Sequence, residues 1–115
     1  MKQTQLLHGV LEGCVLAILA KTPTYGYALM QALHDYGFTS IAGGTLYPLL
    51  AKLEASGDLV GSQRESPDGP ARKYFALTAQ GEARLFAFEA EWAQFGAQVA
   101  RVLADAAQQE ENNDQ

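Results

Sequence analysis

Arg72 and Lys73 are adjacent cations that follow a Gly69-Pro70 step, and Lys52 stands two helical turns beyond the Thr45 hydroxyl, with that of Tyr47 at the edge of the same face. Cations and hydroxyl donors with no base beside them hold anions and do not break bonds. The groups that bond chemistry needs are missing. No pair of carboxylates is spaced for acid–base work, no nucleophile stands beside a base, and no glycine-rich phosphate loop occurs. The chain therefore does not read as an enzyme, and no catalytic residue is assigned. His8 and His34 are isolated and read as surface or capping groups, and neither a metal-ligand spacing nor a cofactor motif is present.

A chain of 115 residues, 48% apolar, has room for one modest hydrophobic core. Its net charge of −5 disfavours a polyanionic partner until the charges are located. Residues 1–77 balance Lys2, Lys21, Lys52, Arg64, Arg72 and Lys73 against Glu12, Asp35, Glu54, Asp58, Glu65 and Asp68. The acidic excess lies beyond residue 77, where only Arg84 and Arg101 are basic. The first two-thirds thus remain open to a polyanion, although so few cations release few counterions, and non-specific binding should be weak. The apolar run at residues 10–20 is too short to cross a bilayer and contains Glu12. It has no signal-peptide cleavage pattern after it. A single cysteine, Cys14, excludes an internal disulfide and fits a reducing cytoplasm. Cys14 reads as a packing residue on an apolar helical face, with a redox or metal sensor as the alternative.

Residues 6–20 form a helix that is apolar around most of its circumference, with Leu7, Leu11, Cys14 and Ile18 on one stripe. Such a helix is covered on more than one side, and in so small a domain a second subunit is the expected cover. Thr22-Pro23 ends it. Thr24 is the expected N-cap of a second helix reaching about Tyr36, with Tyr25, Leu29, Leu33 and Tyr36 facing inward and Gly37 closing it. In a third helix Leu46, Leu49, Leu50 and Leu53 keep the apolar period, Pro48 is expected in or near the first turn, and Gly57 stops the helix.

Residues 59–65 and 72–78 read as two strands of a hairpin, joined by a loop at 66–71 too long for a tight turn. From Thr78, an N-cap, a last helix should run to about Ala107. Its Leu85, Phe88, Trp92, Phe95, Val99, Val102 and Ala106 repeat as a heptad seam. One hairpin cannot cover a seam about 30 Å long, so another helix is expected against it. Residues 108–115, rich in Gln, Glu and Asn, read as a disordered acidic tail.

Three helices followed by a hairpin is the order of a winged helix-turn-helix. The expected fold is mainly α, within α+β: a DNA-binding domain at 1–77 with a two-stranded β wing, then a long C-terminal dimerisation helix at 78–107. The third helix would offer Gly44, Thr45, Pro48, Ala51 and Lys52, with Tyr47 at the edge, to a major groove. A solvated polar face is the plainer reading of the same residues. The wing, with Arg72 and Lys73, would lie along the sugar-phosphate backbone or probe the minor groove.

Four segments now match something specific. They are Leu6-Leu7-His8-Gly9-Val10-Leu11-Glu12, then Pro23-Thr24-Tyr25-Gly26-Tyr27, then Gly44-Thr45-Leu46-Tyr47-Pro48-Leu49-Leu50 with Leu53-Glu54, and last the run from Gly69 through Arg72-Lys73-Tyr74 to Thr78. In order and spacing they resemble the PadR-like transcriptional regulators, over roughly residues 5 to 105, in the compact form with one C-terminal helix. The resemblance implies a homodimer whose first and last helices pack across a two-fold. It also implies a palindromic operator, usually repression, and release of DNA by phenolic acids or hydrophobic drugs and dyes. It places Tyr25, Tyr27, Thr45, Tyr47, Pro48 and Lys52 near DNA and assigns Gly69, Arg72 and Lys73 to the wing. The implied dimer interface takes in Leu7, Leu11, Cys14, Leu85, Phe88, Trp92, Phe95, Val99 and Val102.

Trp92, between Phe88 and Phe95 on the seam, has the chemistry to stack a flat aromatic inducer. An interface core is the plainer reading of the same stripe and the favoured one. Glu89 and Asp105 are candidates to complement a cationic ligand. A winged-helix protein-interaction module that does not bind DNA is the alternative function, suggested by the acidic balance.

Overall fold

Pro23 sets the first boundary. The computed structural model describes residues 10–113, and side chains through residue 109. Helix α1, Leu11–Lys21, stops where Thr22 turns extended (φ −162°, ψ 137°) ahead of the proline. Its Leu11, Val15, Leu16 and Leu19 are buried. Leu7 and His8 lie outside the described residues. The chain does not enter a second helix at Thr24, as expected from its type. Thr24–Tyr25 instead form a short strand, β1, with Thr24 opposite Phe75 and Tyr25 opposite Tyr74. Helix α2, Gly26–Asp35, follows without a side-chain cap. The expected N-cap gave way because the extended backbone after Pro23 found a ladder partner, which satisfies the same peptide groups.

Leu29 and Leu33 form the inner face of α2, whereas Tyr36 is exposed and Tyr25 belongs to the strand. Gly37 takes φ +106°, and Phe38 N–H returns to the Leu33 carbonyl at 3.0 Å while Gly37 N–H reaches His34 O at 2.9 Å. This is a Schellman stop, which requires a residue free of the left-handed penalty. His34 Nε2–H donates to the Ile41 carbonyl at 2.7 Å and pins the connection that follows α2.

Helix α3, Gly43–Ala55, buries Leu46, Leu50 and Leu53, with Leu49 half-buried. Pro48 is not in the first turn but one turn further, inside the helix. Its ring denies a donor to the carbonyl four residues back, at Gly44, an exposed position that water can serve. Gly57, at φ +88°, closes α3 as Gly37 closes α2, with Asp58 N–H on Leu53 O at 2.9 Å.

The hairpin is tighter than the sequence implied. Strand β2 is Leu59–Ser66 and β3 is Gly69–Leu77, so only Pro67 and Asp68 connect them, and Gly69-Pro70 belong to the strand. Neither connecting residue has positive φ, and the register shifts between Arg64 and Ser66. A turn of that hand splays its strands, and the irregularity at Glu65 restores the twist. With β1 the sheet has three antiparallel strands, ordered β1-β3-β2, rather than two. Leu59 and Phe75 enter the core from one face.

Helix α4, Ala79–Asn113, begins at the expected cap: Gly81 N–H donates to Thr78 Oγ1 at 3.0 Å. The Thr78 hydroxyl donates in turn to Gly57 O at 2.6 Å. The first unit of the chain extends through Leu85, past the boundary expected at residue 77, and Leu85 packs against its core. In the second unit the helix continues to Asn113, so residues 108–113 are helical rather than the frayed tail expected. No described helix is long and apolar enough to cross a membrane.

Candidate nucleic-acid interface

Tyr47 shows how the reading surface is built. Its ring sits between the starts of α2 and α3, where a Cβ on Gly43 would lie 3.0 Å from Cε2 and one on Gly26 would overlap Cε1. Two glycines therefore leave a slot for one ring, which stays 47% exposed along its other edge. That edge opens on a cleft of about 540 Å³ lined by Tyr25, Gly26, Tyr27, Tyr47, Arg72, Lys73 and Phe75. Five residues singled out from three distant segments thus share one cleft. Thr45, Pro48 and Lys52 are exposed on α3, and Gly69 is exposed near the hairpin tip, but none of the four lines the cleft.

The cations divide into two kinds. Lys73 Nζ donates to Glu54 Oε1 at 2.7 Å and lies 5.4 Å from the Phe75 ring centroid. Gly61 makes that pair possible, since a Cβ there would meet the lysine Cε and lie 2.6 Å from Glu54 Oε2. Lys52 Nζ faces Glu12 Oε2 at 3.6 Å. Both lysines are thus engaged by carboxylates. Arg64 and Arg72 have no carboxylate partner among the described residues. They stand opposite one another across β2 and β3, and each covers a tyrosine: Arg64 over Tyr74 and Arg72 over Tyr25, both at 4.4 Å. The two rings meet at 5.3 Å between centroids. Cation–π contact orders each guanidinium and leaves its charge available.

Arg64 and Tyr74 were not among the candidates. A hairpin closing at Glu65 and Arg72 sets an acid opposite the arginine, and a one-residue slip of register exchanges the faces of a strand. A regular two-residue turn at Pro67-Asp68 would set Arg64 opposite Ala71, and only the irregularity at Glu65 brings it to face Arg72.

Asp58 was also missed. It is 1% exposed and accepts from Ser56 Oγ at 2.8 Å, Gln80 Nε2 at 2.9 Å and Arg84 Nη1 at 2.5 Å. Arg84 Nη2 goes on to Glu12 Oε1. The end of α3 is thereby tied to the first turns of α4. Gly81 permits the approach, because a Cβ there would overlap the Asp58 carbonyl.

The expected interface residues fall in different surroundings. Leu11 is buried within this chain's own core, so its burial needs no partner. Cys14 is half-buried beside an apolar cleft of about 250 Å³, and burial pushes its thiol pKa up, away from the reactive thiolate. On the second unit Trp92 is 49% exposed and Phe95 59%, their rings 6.3 Å apart, with Val99 and Val102 also exposed and Phe88 half-buried. Glu89 and Asp105 are exposed on the same helix. Among the described residues no group of His, Cys, Asp and Glu is assembled to hold a metal.

A helix-turn-helix whose second helix keeps a polar face free, backed by a hairpin with arginines on its outer side, defines a winged-helix transcription regulator. The model of the Transcriptional regulator PadR-like family matches residues 15–87. The chain belongs to the PadR-like family of transcriptional regulators. It is similar to a Streptococcus transcriptional regulator of known crystal structure, at 48% identity over 87% of this chain and 98% of that one, with a TM-score of 0.79. A PadR-like regulator from Bacillus cereus gives 37% identity, covers 86% and 96% of the two chains, and has a TM-score of 0.80. A transcriptional regulator of Mycobacterium tuberculosis is 41% identical over 71 residues, 62% of this chain and 64% of that one.

Proposed function

We infer that this regulator is a cytoplasmic homodimeric repressor. It binds a palindromic operator through α3 and the wing and releases it when an aromatic or hydrophobic molecule occupies the α4 seam. The observation that carries the reading is the seam itself: Trp92, Phe95, Val99 and Val102 repeat at heptad spacing and stand exposed in the single chain. A second copy supplies the cover such a stripe needs. Two reading helices related by a two-fold then select an inverted repeat with half-sites about one duplex turn, or a small multiple, apart. Trp92 and Phe95 supply the ring faces on which a flat inducer stacks.

Selection of bound duplexes from a random pool, repeated with candidate phenolic and cationic aromatic compounds, tests this directly. The expected result is an inverted repeat whose recovery falls when an inducer is added. A single half-site, or a monomer at micromolar concentration by sedimentation, overturns it. One observation favours a second reading, a protein-interaction module: Lys52 and Lys73 are both neutralised by carboxylates. Absence of any duplex binding at low salt supports that module.

A further inference from the structure

We propose that Glu12 acts as an internal stand-in for a DNA phosphate on Lys52, and so sets how tightly this regulator holds its duplex. The proposal rests on the DNA-binding reading above and concerns a residue of α1, outside the helix-turn-helix and the wing.

Lys52 is the one cation on the outward face of α3, with a side chain 67% exposed, and the anion facing it is Glu12 Oε2 at 3.6 Å. Glu12 is not a free surface carboxylate. Its side chain is 24% exposed, and its other oxygen accepts from Arg84 Nη2. Arg84 is held in turn by Asp58, which is buried. The clamp fixes Glu12 in place, so little side-chain entropy is lost when Lys52 meets it, in contrast to two mobile surface groups.

Charge along this chain alternates. Asp58 and Glu12 share the single positive charge of Arg84, so one negative charge is left for Lys52. The four groups together are neutral. A phosphate arriving at Lys52 must either draw the ammonium away from Glu12 or sit beside an uncompensated carboxylate. Glu12 and the duplex therefore compete for the same cation. Lys73 is held by Glu54 in its own separate pair, so the competition at Lys52 belongs to Glu12.

Glu12→Gln removes the charge while keeping the length of the side chain and an acceptor for Arg84. On the duplex recovered by selection with the wild-type chain, the variant should bind about threefold tighter, the size expected for releasing one exposed ion pair. Its affinity should also fall more steeply with salt, by about one further counterion, as Lys52 becomes a full phosphate contact. Lys52→Gln should weaken the Glu12→Gln chain more than it weakens the wild type. That comparison needs no change at position 12 to be neutral for folding, because each background is its own reference. No gain on Glu12→Gln, or the same gain whether or not Lys52 is present, overturns the proposal. A wild-type chain that binds no duplex overturns the functional reading instead.

Discussion

Arg64 and Arg72 face one another directly across β2 and β3, each lying 4.4 Å from the centre of its own tyrosine ring. Like charges paired across strands are ordinarily unfavourable. Here Tyr74 and Tyr25 take up the two guanidinium groups separately, which keeps both charges on the outer face of the wing.

Arg64→Ala or Arg72→Ala should weaken duplex binding and reduce the salt slope by about one per arginine. Lys73→Ala should change the slope less, since its charge is already engaged by Glu54. Binding titrations at several salt concentrations measure this, and a larger effect from Lys73 would reverse the ranking.

Gly26→Ala should expel the Tyr47 ring from its slot at a cost of about 1–3 kcal/mol, the usual range for overpacking. Because that ring lines the cleft, duplex affinity should drop even at temperatures where circular dichroism shows the chain fully folded.

Asp58→Ala should lower stability by about 1–3 kcal/mol by leaving Ser56, Gln80 and Arg84 without their shared acceptor, a figure already reduced for the partial exposure of Arg84. Urea unfolding followed by far-ultraviolet dichroism gives the value. A midpoint equal to wild type would show that the three donors find water at no cost.

Trp92 is the sole tryptophan. If two seams close on each other, its emission should shift to the red as the protein is diluted through the dissociation range, and Trp92→Ala should sediment as a lighter species. Concentration-independent emission at the wavelength of a half-exposed indole would contradict the dimer.

Burial raises the thiol pKa of Cys14 in the folded chain above its ordinary value. The unfolded chain therefore loses this proton first, so stability should be constant below the ordinary thiol pKa and decline as pH rises through the folded value. Unfolding midpoints measured from neutral to alkaline pH, against Cys14→Ala, isolate this contribution. Iodoacetamide labelling of the native chain near pH 7 should also be slow.

Local signals in the sequence were reliable where one residue type decides the backbone. Gly37 and Gly57 end their helices, Thr78 starts one, and Leu46, Leu50 and Leu53 point inward, each from its own immediate neighbourhood. What was hidden depends on partners far along the chain. Thr24 had the chemistry of a helix cap, and only Phe75 made it a strand. The length of the hairpin loop turned on an irregularity at Glu65 that composition does not announce. The candidate lysines were visible, but the glutamates that occupy them come from other turns and other helices.

Thr78 does two things with one oxygen: it receives the Gly81 N–H that starts α4 and gives its proton to Gly57, the residue that terminates α3. One hydroxyl thus joins the first turn of the long helix to the residue that closes the reading helix, beside the links made through Asp58. Valine at this position has nearly the same shape and no oxygen. Substituting it would cut this one tether and leave those through Asp58 and Gln80 to hold the joint alone.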